Sequence, residues 1–117
     1  MLGAIVGDIV GSRFEWNNIK TKEFNLFTID CFVTDDSIMT LAVAKALLDY
    51  TSGEYDKLRE DTVKSMIEVG IPYPFSGYGS GFYKWLYGET QRPYNSCGNG
   101  SAMRVSPVAY VAKSWTR

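Results

Sequence analysis

The chain has 117 residues, 45% of them hydrophobic and 15% aromatic, which argues against a disordered chain and suffices for one domain with its own core. Twelve basic residues stand against thirteen acidic ones, for a formal charge of -1, and no basic run or basic–aromatic interleaving tracks a phosphate backbone, so nucleic acid is not an expected partner. Histidine is absent, which excludes a Ser-His-Asp triad, a Cys-His pair and histidine-ligated zinc or iron and leaves carboxylates, hydroxyls and backbone amides to carry any chemistry.

Helical periodicity dominates, and nothing alternates strongly enough to be a sheet; the expected fold class is all-α, with residues 1–117 forming a single domain. The first helix is expected from about Leu2 to Arg13. Its apolar opening, Met1 to Val10, is interrupted by Asp8, followed by Arg13 and Glu15 and preceded by no basic leader, so it reads neither as a signal peptide nor as a membrane span. Gly3, Gly7 and Gly11 fall on one face, where a second helix can approach closely.

A second helix, Asp35 to Tyr50, carries Ile38, Leu41, Ala42, Ala44, Ala46 and Leu48 around most of its circumference and is expected to be central and mostly buried. A third, Tyr55 to Val69, sets Leu58, Val63, Met66, Ile67 and Val69 against a charged face and is ended by Gly70 and Pro72. Shorter helices are expected over Gly81 to Tyr87 and Ser101 to Ser114. Between them, the stretches Ile71 to Ser80 and Gly88 to Gly100 are rich in Gly, Pro, Asn and aromatics, the composition of loops that form ligand walls. Cys31 and Cys97 lack zinc-site spacing and are too few for a disulfide scaffold; they read as reduced thiols of a cytoplasmic protein.

Three motifs bear on chemistry. Thr34-Asp35-Asp36 opens the second helix, where such residues are ordinary caps, yet capping needs only one of them and two adjacent carboxylates repel unless a cation lies between. Gly98-Asn99-Gly100-Ser101 precedes the last helix and can present amide N–H groups to a phosphate, although as a bare pattern it is more often a turn. Gly77-Tyr78-Gly79-Ser80-Gly81 follows no strand and matches neither the dinucleotide nor the Gly-Lys-Ser/Thr phosphate spacing. Glu15 becomes an acid or base only if the fold brings it to Thr34-Asp35-Asp36.

Taken in order, Gly3-Ala4-Ile5-Val6-Gly7-Asp8 with Glu15, Thr34-Asp35-Asp36-Ser37-Ile38-Met39-Thr40, and Tyr94 through Pro107 with its Gly-Asn-Gly-Ser-Ala-Met-Arg core resemble the N-terminal part of the ADP-ribosylglycohydrolases. The resemblance implies an all-α fold, a dinuclear magnesium or manganese site, and hydrolysis of the bond between ADP-ribose and a modified side chain or small molecule. It implies Thr34, Asp35 and Asp36 as metal ligands and Glu15 and Asp36 as catalytic residues. Asn95, Gly98, Asn99, Gly100, Ser101 and Met103 are then substrate-binding, with Gly98 to Ser101 cradling the diphosphate and Tyr78, Phe82 or Tyr94 stacking on adenine or ribose. Family members are longer and carry a second acidic cluster toward their C-terminus, whereas nothing after Arg104 here is acidic. The last helix should therefore leave apolar surface uncovered, and a homodimer or helix swap is expected to cover it. An ADP-ribose-binding module without hydrolysis is the alternative.

Overall fold

Helix α1 spans Leu2–Gly11 and tightens into a 3₁₀ turn over Ser12–Phe14, so the last turn of the expected first helix closes with shorter-range hydrogen bonds. After a long irregular segment come α2, Asp35–Asp49, and α3, Tyr55–Gly70, followed by α4, Ser80–Leu86, and two single-turn helices, α5, Gly100–Met103, and α6, Val108–Val111. The structure is a computed structural model and describes residues 1–112; no strand occurs among the described residues.

Helix α2 is the element on which the others assemble, packing along α3 and touching α1, α5 and α6. Thr34 starts it from an extended conformation and accepts the Asp36 N–H at 3.3 Å, an ordinary N-cap. The core runs between Ile38, Met39, Ala42 and Val43 of α2 and Met66 of α3, with Leu47, Val69, Tyr78, Phe82, Trp85 and Met103 packed around it. Tyr78, Phe82 and Trp85 form an aromatic row, the last two stacked at 5.2 Å. The end of α3 closes on this core because Gly70 has no side chain: a Cβ there would lie 2.9 Å from the Met39 methyl and 3.1 Å from a Leu86 methyl, both fully buried.

Three expectations change. Leu41 and Leu48 of α2 are 45% and 83% exposed, because α3 covers one side of α2 and no described element covers theirs. The glycine face of α1 meets nothing: a Cβ at Gly3, Gly7 or Gly11 finds no neighbour within 4 Å. The expected helix from Ser101 to Ser114 is broken into α5 and α6 by Pro107, which lacks an N–H and biases Ser106 out of the helical region; Ser114 itself lies outside the described residues.

The consequence is a loosely covered surface. The chain exposes 8962 Å², against roughly 6,400 Å² for a folded monomer of this mass, and its radius of gyration is 15.6 Å where about 13 Å is usual. Leu2 and Val6 of α1 and Phe24, Leu26, Phe27, Ile29 and Phe32 of the following segment are all exposed. We propose that a second copy of the chain covers this apolar face. Light scattering at rising concentration should then show a mass growing beyond one chain, and a strict monomer throughout contradicts it.

Candidate active site

The first turn of α2 is held from two sides. Asp8, the charged residue in an otherwise apolar α1, turns its carboxylate onto that turn and accepts the Thr34 N–H at 3.0 Å, the Ser37 N–H at 3.2 Å and the Thr34 hydroxyl. Amides at a helix start have no intrahelical acceptor, and a carboxylate there also complements the helix dipole. Ser12 supports this contact, donating to Ile9 O at 2.9 Å and accepting the Phe32 N–H at 3.0 Å. Arg13 orders the intervening segment by donating to the Thr28 hydroxyl and to the Asn25 carbonyl, with its guanidinium over the Phe14 ring. From the other side, the Asp35 N–H donates to Ser76 O at 2.8 Å. The neighbouring Gly77 turns with φ at 93°, a conformation that favours glycine, and a Cβ there would stand in contact with Asp35 Oδ1 at 3.4 Å.

Successive residues of a helix point about 100° apart, so Asp35 and Asp36 enter different clefts. Asp36 shares a cleft of about 490 Å³ with Thr34, Asp8 and Glu15, which α1 and its 3₁₀ turn bring there. Asp35 faces a larger one of about 720 Å³, walled by α3, α4 and the segment from Pro93 to Arg104. Asn95, Gly98, Asn99, Gly100, Ser101 and Met103 all line this larger cleft, and Met103 lines both. Phe82 and Tyr94 also line it, whereas Tyr78 does not: its hydroxyl donates to Gly70 O at 3.1 Å, and burial first, then neighbouring Tyr87 and Asp35, push the phenol up to about 12.

Crowding four acids, Asp8, Glu15, Asp35 and Asp36, around one helix start leaves an electrostatic imprint. Burial, then the charges of Asp36, Glu15 and Asp8, push the Asp35 carboxyl up to about 6. Burial and the Asp8 charge push Asp36 in the same direction. Carboxylate and hydroxyl oxygens suit a hard divalent cation, and these two carboxyls lack a counter-charge. Yet no three acidic side chains among the described residues converge closely enough to hold one. The four-residue α5 likewise gives the Gly98–Ser101 loop little dipole to attract phosphate. Sequence reasoning missed the role of Asp8, whose one signal was a charge in an apolar helix, and gave Arg104 none. Arg104 sits half-buried in the larger cleft, and burial lowers its hold on its proton.

No helix among the described residues is long and apolar enough to cross a membrane. Among proteins of known activity, ADP-ribosylhydrolase ARH3 of Xenopus tropicalis is 29% identical over 93% of this chain and 37% of its own length. The chain thus spans little more than a third of that relative. No solved structure matches. The ADP-ribosylglycohydrolase family model matches residues 1–116, through the Asp8 clamp, both clefts and the Gly98–Ser101 loop, and the chain belongs to the ADP-ribosylglycohydrolase family.

Proposed function

We propose that the chain carries the ADP-ribose-contacting part of a metal-dependent hydrolase that cleaves the glycosidic bond between ADP-ribose and a modified side chain or small molecule. The observation that supports this most is the pairing of clefts: Glu15 and Asp36 share the smaller, Asn95 to Ser101 line the larger, and Met103 borders both. A ribose in the first and the ADP portion in the second would bring the anomeric carbon to the two carboxylates.

Hydrolysis breaks the bond from the anomeric carbon to the leaving nitrogen or oxygen and joins that carbon to a water oxygen, through a cationic transition state. Carboxylates fixed beside that carbon stabilise its developing charge without having to reorganise. Glu15 accepts the proton of the attacking water or passes one to the leaving group. Asp36, whose hold on a proton is raised by burial and Asp8, sits where it can assist. Thr34 and Asp36, which share the smaller cleft, would hold a magnesium or manganese ion there that orients the ribose hydroxyls and offsets carboxylate repulsion, while Asp35, the third expected ligand, faces the larger cleft. The incomplete acidic shell favours a second reading, ADP-ribose binding without turnover.

Release of ADP-ribose from ADP-ribosylated serine or arginine, assayed with magnesium, separates the two. Glu15→Gln and Asp36→Asn should each lower turnover by about 100-fold or more. Turnover unchanged in both variants contradicts the catalytic roles, and wild-type binding without turnover favours the second reading.

The raised Asp35 carboxyl sets a pH dependence. Protonation is favoured more in the folded than in the unfolded chain, so the folded state binds extra protons between about pH 4 and 6 and cation-free stability falls as pH rises through that window. Partial exposure to water keeps the loss to about 1 to 2 kcal/mol. Thermal melting in chelator should therefore show Asp35→Asn more stable than wild type at pH 7.5 and not at pH 4, with magnesium raising the wild type selectively at the higher pH. Parallel melting curves for the two proteins across this range would contradict it.

A further inference from the structure

Arg104 follows α5 and is held over the wall of the larger cleft. Its guanidinium carbon lies 5.5 Å from the centroid of the Phe82 ring. Its Nη1 lies 3.7 Å from where a Cβ on Gly100 would stand, which puts the cation directly beside the Gly98–Ser101 loop. Among the described residues it forms no ion pair, since the ion pairs there involve only Arg13, Lys45 and Lys57 as cations. Arg59 of α3, likewise without a carboxylate partner, lines the same cleft, and Asp35 is the one acid against these two cations.

A half-buried cation gives up hydration that a ring face returns only in part. An anion in the cleft would restore the balance, and the planar guanidinium fork suits phosphate oxygens. Loop amides cannot supply that attraction alone, because α5 has a single turn behind it. Resting on the reading of the clefts as an ADP-ribose site, we propose that Arg104 is a substrate-binding residue that holds the diphosphate of ADP-ribose, seated by the Phe82 ring.

Calorimetric titration of the whole chain with ADP-ribose, and separately with inorganic pyrophosphate, at low and high salt tests this. Arg104→Met keeps an unbranched stem over Phe82 while removing the charge, and Arg104→Lys keeps the charge while losing the fork. Arg104→Met should weaken both ligands by about 10- to 100-fold, the scale of one hydrogen bond to a charged group, and flatten their salt dependence; Arg104→Lys should recover part of each. A folded Arg104→Met that binds both ligands like the wild type overturns the proposal while leaving the ADP-ribose reading intact. Pyrophosphate binding that depends on Arg104, with no binding of ADP-ribose, upholds an anion site and overturns the ADP-ribose reading. A wild type that binds neither ligand overturns the proposal. Should Arg104→Met fail to melt cooperatively, Arg104→Lys decides alone: affinity and salt dependence identical to wild type count against the diphosphate contact.

Discussion

A helix begins with amide N–H groups that no carbonyl of its own can accept from, and at the start of α2 the missing acceptor arrives from another helix. The Asp8 carboxylate takes the Thr34 and Ser37 amides and the Thr34 hydroxyl together. Because the donors belong to residues on either side of Asp35 and Asp36, this clamp fixes where both acids point. It also fixes where Glu15 stands, since α1 continues directly through Ser12–Phe14 into it. Opposite, the Ser76 carbonyl and the Gly77 turn hold the Asp35 end. Hydrogen bonds to a charged group are worth about 1.5 to 3 kcal/mol each, enough to decide among local arrangements.

The same clamp has an electrostatic cost. Gathering Asp8, Asp35 and Asp36 at one helix start exploits the dipole, but the mutual repulsion and burial push Asp35 and Asp36 toward their protonated forms. The cationic side of the molecule's chemistry stands in the larger cleft, where Arg59 and Arg104 outnumber Asp35. One chain thus offers a negative cleft beside a net positive one, with Met103 between. That polarity underlies the proposed placement of ADP-ribose, with the ribose whose anomeric carbon turns cationic at one end and the diphosphate at the other.

Much of this was legible in the sequence, for reasons particular to each element. Helices α2, α3 and α4 follow from periodicity and breakers that act locally, such as the Thr34 cap and the Gly70–Pro72 stop. The helix expected from Ser101 to Ser114 passes over Pro107, which breaks it into α5 and α6. The motif residues stand out in the sequence because their types are chemically distinctive, and the fold sorts them into two clefts. The Asp8 clamp and the setting of Arg104 were not legible, since both arise from contacts that no local pattern encodes: Asp8 reaches a helix start 26 residues away, and Arg104 lies over Phe82 of α4. The glycine stripe of α1 was visible too, but no helix packs on it among the described residues, and Gly7 and Gly11 line the smaller cleft instead.

The Asp8 clamp is open to direct measurement through amide hydrogen exchange. Ser37 lies in the first turn of α2, where no backbone carbonyl accepts its N–H, so its protection must come from Asp8. The structure predicts that Asp8→Ala speeds exchange at Ser37 and Thr34 by about 10- to 100-fold while Met66, buried in α3, stays as protected as in the wild type. Unchanged protection at Ser37 in Asp8→Ala would contradict the clamp, and with it the account of how Asp35 and Asp36 are held in their two clefts.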